Sequence, residues 1–244
     1  MNDTVYQNKG ILYEPHTISI HITDICNRKC KFCSEASHEH AHDLIRKEDI
    51  LKFLKSQDTG VWSALNIHGG EPTLSPYLIE VVQNAHELGY RYIILQTNGH
   101  RIGSDYEYAK KLIDADISLY NIGFHGSNSK IMDELTGTGS FEKTMNGIRT
   151  IAGFNKAIRI TVVVCSQNYK DLPSIVSLAV KEGISHINIS AMQTGGSALR
   201  SLDYLLVSYS QAGPYIAEAV CMAEQLKLKV TLEGFPFCIL PGLE

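Results

Sequence analysis

Positive charge is in short supply. Lys and Arg total 22 against 26 Asp and Glu, a net of -4 over 244 residues. No electrostatic case therefore exists for nucleic acid or an anionic membrane as the main partner. Long apolar runs are missing too, and with them any bilayer-spanning helix. Met1 to Tyr6 carry neither a basic start nor an apolar core, so no signal peptide is expected. Cysteine is sparse at six residues. Without an export signal, these cysteines argue against a disulfide scaffold and for a reducing cytoplasm. The rest is ordinary: 44% hydrophobic and 20% charged residues, enough for one sizeable core in a single α/β domain.

Strand-like alternation and helical spacing take turns along the chain. Strands are predicted at 17–23, 62–68, 91–97, 118–124, 157–165, 186–192 and, shorter, 228–232. Helices are predicted near 48–56, 76–88, 105–114, in a stretch ending near 152, at 171–182 and at 209–226. Ser75 is a candidate cap for the second of these, Pro76 suits its first turn and Gly89 its exit. Such alternation implies a parallel sheet joined by crossover helices. Six units in a row suggest either a partial (β/α)6 TIM barrel or an open doubly wound sheet.

The strand faces separate these two. Ile18, Ile20 and Ile22 oppose Ser19, His21 and Thr23; Leu65 and Ile67 oppose Asn66 and His68. Ile158, Ile160, Val162 and Val164 oppose Arg159, Thr161 and Cys165; Ile187 and Ile189 oppose Asn188 and Ser190. Buried parallel strands normally read as apolar on both faces. A persistently polar face needs partners, because an unpaired buried polar group costs roughly 1–3 kcal/mol. A hollow barrel filled by polar ligands supplies those partners, whereas a packed barrel interior does not.

The densest chemistry lies just after the first strand, in Cys26-Asn27-Arg28-Lys29-Cys30-Lys31-Phe32-Cys33. This spacing lets three thiolates converge on one inorganic centre. Iron–sulfur clusters usually take four thiolates, and here the next cysteine is Cys165. A four-iron cluster on three thiolates keeps one iron open, and an open position separates a catalytic metal centre from a structural one. Two other readings stay open on the residues alone. One is a zinc site with His38, His40 or His42 as fourth ligand; the other is an iron–sulfur electron carrier.

The motif C-x-x-x-C-x-x-C, with Phe32 before its last cysteine, resembles the cluster motif of the radical S-adenosylmethionine (radical SAM) enzymes. His68-Gly69-Gly70-Glu71-Pro72, one βα unit later, resembles the same family's GGEP element. The resemblance implies a partial TIM barrel and a 4Fe–4S cluster on Cys26, Cys30 and Cys33. It implies SAM chelated to the open iron and cleaved by one electron to a 5′-deoxyadenosyl radical. It also implies SAM contacts at Phe32, Gly69, Gly70, Glu71, Pro72, Asn98, Arg159 and Asn188. Glu71 is read as an acceptor for the SAM ammonium group and Arg159 as a partner for its carboxylate. His125 stands where the family often has a ribose or carboxylate contact, and alternatively faces the substrate. Cys165 or Cys238 is a candidate for returning hydrogen to a substrate radical, as a lone thiol does in some epimerases of the family.

The expected layout is a lead-in at 1–16, a core at 17–192 with the cluster loop at 24–42, and a C-terminal helix and strand at 193–244 that complete or close the barrel. Only Cys221 and Cys238 lie beyond residue 192, too few for a second ligated cluster. The expected activity is hydrogen abstraction from a small polar substrate or a peptide, fed by an electron donor such as flavodoxin or ferredoxin and sensitive to oxygen. Peptide maturation and activation of a glycyl-radical enzyme are the alternatives within the family.

Overall fold

The computed structural model describes residues 7–8, 11–12, 16–37, 45–236 and 238. Two short strands, β1 (Gln7–Asn8) and β2 (Ile11–Leu12), form an antiparallel pair inside the stretch expected to be a plain lead-in. Seven longer strands follow: β3 (Thr17–His21), β4 (Ala64–His68), β5 (Tyr92–Thr97), β6 (Leu119–Gly123), β7 (Ile158–Val164), β8 (His186–Ala191) and β9 (Lys229–Glu233). All are parallel, and their order in the sheet is their order in the chain. A doubly wound sheet reverses its strand order at a switch point. This sheet never does, so the fold is the partial α/β barrel. The short strand predicted at 228–232 is β9, which lies beside β8 as the seventh strand of the sheet.

Parallel neighbours need crossover connections, and helices supply them. They are α1 (Lys47–Lys55), α2 (Leu78–Glu87), α3 (His100–Ser104), α4 (Tyr106–Asp114), α5 (Ser129–Thr136), α6 (Ser140–Gly153), α7 (Leu172–Lys181), α8 (Gly196–Arg200), α9 (Leu202–Leu205) and α10 (Tyr209–Gln225). Several starts carry a side-chain cap that satisfies an otherwise orphaned backbone N–H. Asp105 accepts from Tyr108 N–H and Asn128 from Ile131 N–H, and Ser208 and Gln211 form a reciprocal capping box. Ser75 does not cap α2. Glu71 accepts from Thr73 N–H instead and starts a 3-10 turn at Pro72–Leu74, so α2 begins only after Tyr77. The Ser75 hydroxyl is left buried without a partner. Among the described residues, no helix is long and apolar enough to cross a membrane.

The two faces of the sheet differ as the alternation requires. Leu65, Ile67, Ile93, Leu95, Ile122, Ile160, Val162, Ile187 and Ile189 are fully buried in the main apolar core. On the other face, strand register aligns Gln96, Asn121 and Arg159 in one row and Thr161, Asn188 and Thr231 in the next.

The tightest packing between helices is at α3 and α6. A Cβ at Gly147 would stand 2.3 Å from the Gly99 carbonyl oxygen, and one at Gly103 would stand 2.5 Å from Gly147 N. Gly147→Ala should therefore overpack this contact and cost about 1–3 kcal/mol. Gly153→Ala, whose Cβ would meet nothing within 4 Å, should be neutral or stabilising by up to ~1 kcal/mol. Denaturant midpoints of the two variants check the contrast.

Candidate cluster and cofactor site

The loops after β3 and β4 are joined along their backbones. Gly70 N–H donates to the Thr23 carbonyl at 2.6 Å and Glu71 N–H to the Ile25 carbonyl at 2.8 Å. Contact this close demands glycine. A Cβ at Gly69, where φ is +147°, would sit 2.4 Å from the Thr23 oxygen, and one at Gly70 would sit 2.5 Å from the Ile25 oxygen. The Gly69-Gly70 pair thus sets the floor under the cysteine loop.

Cys26, Cys30 and Cys33 are free and half-buried on that loop. Cys30 feels the charge of both Cys26 and Cys33, and Cys26 that of Cys33, so the three face a common space. Burial pushes the Cys26 thiol up to about 11 and the Cys30 thiol up to about 12. Both are protonated at neutral pH without metal, and any metal that binds them releases protons. His38, His40 and His42, the expected zinc alternatives, lie outside the described residues.

Arg28 stands between the first two cysteines and is 4% exposed. Its guanidinium donates to His100 Nε2 at 3.1 Å, to the Gly123 carbonyl at 3.1 Å, to the Asn98 carbonyl at 3.2 Å and to the Thr144 hydroxyl. One side chain therefore ties the cysteine loop to the ends of β5 and β6 and to α6. Its position in the motif did not reveal this role, because only the assembled strand ends supply the acceptors.

Glu71 is 1% exposed. Oε1 accepts from Thr73 N–H at 3.1 Å and from the Thr73 and Thr97 hydroxyls, each at 2.6 Å. Oε2 accepts from Asn98 N–H at 2.7 Å. Through these bonds the Glu71 carboxylate joins the β4 and β5 loops. Asn98 is similarly engaged: its Nδ2 donates to Asn27 at 2.6 Å and its Oδ1 accepts from His100 N–H at 2.9 Å. Pro72 opens the 3-10 turn beyond them.

A polar cavity of about 700 Å³ lies on the concave face beside the loop, lined by Phe32, Gln96, Asn121, Arg159, Thr161 and Asn188, among others. Arg159 Nε is buried without a partner. Asn188 Nδ2 donates to Glu233 at 2.9 Å and its Oδ1 accepts from the Thr231 hydroxyl at 2.8 Å. Gln96, Asn121 and Glu233 escaped the sequence reading. The alternation could have found the first two, because they share the inner face with Asn66 and Arg159.

Three candidates do not line this cavity. His125 is buried behind Phe32, ring centroids 4.4 Å apart, with Nδ1 accepting from Val163 N–H. Burial first, and then Arg28, push it down to about 3, so it is a neutral ring packed against Phe32. Cys165 is fully buried in a small apolar cluster with Phe32, Leu135, Ala198 and Leu205. Just past the end of β7 the chain bends into a turn closed by Asn168, whose Oδ1 accepts from Cys165 N–H at 2.7 Å. Cys238 lies exposed, beyond the end of β9.

Comparison with known proteins agrees with the motif resemblance. Residues 20–179 match the family profile described as Radical SAM superfamily. A probable GTP 3',8-cyclase of Saccharolobus islandicus is 27% identical over 180 residues, covering 73% of this chain and 58% of that protein. One from Sulfurisphaera tokodaii is 23% identical over 189 residues, covering 77% and 59%. The chain thus spans under two thirds of these curated relatives. Among solved structures, Streptococcus suis SuiB bound to S-adenosylmethionine aligns with a TM-score of 0.77 at 20% identity, over 96% of this chain and 54% of that one. The anSMEcpe structure with bound AdoMet and the Cp18Cys peptide aligns with a TM-score of 0.67 at 18% identity, over 89% and 63%.

The buried histidines fix a pH dependence. His100 and His125 are pushed down to about 3 and His186 to about 4, each chiefly by burial. Their unfolded value is near 6.5. Above that pH both states are neutral and the folded protein is at its most stable. Below it the unfolded chain binds protons that the folded one refuses, so stability should fall from pH 6.5 towards 4. Each histidine contributes up to ~1.4 kcal/mol per pH unit. Thermal melts across this range should show the loss, and His186→Gln should make it shallower.

Proposed function

This chain belongs to the radical SAM superfamily, a family that uses a 4Fe–4S cluster and S-adenosylmethionine. From that premise we propose that it is an enzyme that cleaves SAM reductively and takes a hydrogen atom from a small polar substrate or a peptide. When bound at this loop, the two groups together would supply one-electron, hydrogen-abstracting radical chemistry. The residues present fit both groups. Three free thiols share one loop, a buried cation stands among them, and an unpartnered guanidinium Nε lines the adjacent polar cavity. That unpartnered Arg159 nitrogen carries the reading, because a buried donor without an acceptor costs about 1–3 kcal/mol until a ligand supplies one.

In this assignment Cys26, Cys30 and Cys33 hold the cluster. Gly69 and Gly70 offer backbone carbonyls to the SAM ammonium, beside the Glu71 carboxylate that Thr73, Thr97 and Asn98 hold in place. Arg159 takes the SAM carboxylate or an anionic substrate group. Phe32 and Asn188 border the adenine. The amide and hydroxyl groups of Gln96, Asn121 and Thr161 orient a polar substrate and replace its water. An external reductant such as flavodoxin or ferredoxin supplies the electron. Peptide substrates are the narrower variant, favoured by the structures of SuiB bound to its precursor peptide SuiA and of anSMEcpe with bound peptides.

Anaerobic reconstitution tests this. The protein should take up about four irons, turn brown and release 5′-deoxyadenosine from SAM under a reductant. Reduction without SAM cleavage would mean an electron carrier, and a colourless zinc-loaded chain would mean a zinc protein. Cys30→Ala should lose the iron. Arg159→Met should keep the iron and weaken SAM binding roughly 10–100-fold, the range for losing one hydrogen bond to a charged group.

A further inference from the structure

A second group of metal-ligating side chains lies beside the cysteine loop. His21 and His68 occupy paired positions at the ends of β3 and β4, and Glu35 projects from the loop two residues after Cys33. One ligand atom from each lies within 4.8 Å of the other two. Two of the three are anchored on rigid strand ends, which suits a preorganised site.

The hydrogen bonding of His21 raises a problem that a cation solves. Its Nε2 is 2.6 Å from Asp24 Oδ1, while its Nδ1 is 3.5 Å from Glu35 Oε2. A carboxylate only accepts, so Nε2 must carry the proton that Asp24 receives. In the neutral ring Nδ1 is then a bare lone pair pointed at a second carboxylate. A second proton or a metal ion fits between them. The second imidazole, His68, stands edge-on to His21 with ring centroids 5.4 Å apart. Burial, its chief perturbation, shifts it towards the neutral ligating form. A histidine that binds metal through one nitrogen and donates its other N–H to a carboxylate is the usual arrangement around a bound ion.

We propose that His21 Nδ1, His68 and Glu35 bind one divalent transition-metal ion, with Asp24 orienting His21. Two imidazoles and one carboxylate suit ferrous iron, zinc or cobalt better than magnesium or calcium. An ion about 2.1 Å from each donor sets neighbouring donors roughly 3–3.5 Å apart. The His21–Glu35 pair already has that spacing, and exposed Glu35 has room to close the remainder. The two histidines share the inner sheet face with Asn66, which accepts from the cavity residue Gln96 at 3.1 Å. The open coordination positions are therefore on the ligand side of the sheet. No cysteine takes part, so the site stands whether or not the radical chemistry proposed above is correct.

Cobalt titration of the anaerobically reconstituted, desalted protein tests it. One Co2+ per chain should bind in addition to the cluster iron. Its visible bands should be those of nitrogen and oxygen ligands, without the charge-transfer band of thiolate ligation. Glu35→Gln and His68→Gln should each weaken binding at least tenfold, and Asp24→Asn about 10–100-fold. Exposed Glu35→Gln should keep its melting curve and iron content, which separates lost ligation from misfolding. No bound cobalt, thiolate-type cobalt alone, or equal affinity in Glu35→Gln and His68→Gln would overturn the proposal. So would nitrogen NMR of the zinc-titrated protein showing both ring nitrogens of His21 still protonated.

Discussion

A single enclosed positive charge organises the end of the barrel that carries the cysteine loop. Arg28 is buried among backbone carbonyls, a neutral imidazole and a hydroxyl, and makes no ion pair among the described residues. Taking a cation out of water costs several kcal/mol, and dipoles alone offset this only in part. Negative charge is close by: the Cys30 and Cys26 sulfurs and the Glu71 and Asp133 carboxylates all act on the guanidinium. As thiols the two sulfurs carry no charge, and as metal-bound thiolates they would add theirs to that of the carboxylates. The arginine thus links the folding of the strand ends to the loading of the loop.

The same logic runs across the sheet. One face is a continuous apolar core under the helices. The other is a set of short polar relays: Asn66 donates to Ser19 and Gln96 to Asn66, Thr161 donates to Asn121, and Thr231 and Glu233 both engage Asn188. These relays satisfy much of the polar surface internally and leave particular groups, Arg159 above all, for a ligand. A cavity floored in this way selects for polar occupants, since an apolar one would strand the amides.

The strands and most helices were legible because alternation and 3.6-residue spacing report burial directly. The polar inner face read from Asn66, Arg159, Thr161 and Asn188 lines the concave side. Legibility stopped where the extended backbone stops. His125 and Cys165 continue the strand alternation on paper, yet both lie past the last strand residue, where the chain turns and parity carries no information. Short α3 and the β1–β2 pair lack the length for a periodic signal. Glu71 lies in the loop where it was expected, but its bonds to Thr97 and Asn98 were not legible, because only the folded strand ends bring those residues to it.

The loop that carries the cysteines is finished late. Its backbone is closed from the far end of the barrel, where Ser197 N–H donates to the Cys33 carbonyl at 2.8 Å. Gly196 packs so tightly there that a Cβ would be 2.7 Å from the same oxygen. At ~5–20 residues per second, a ribosome needs roughly 10–30 s to travel from one contact partner to the other. Through that interval the nascent thiols stand without their cover, open to oxidants and to whichever soft metal arrives first. Assembly of the intact centre is thus a matter of timing during translation as much as of affinity afterwards.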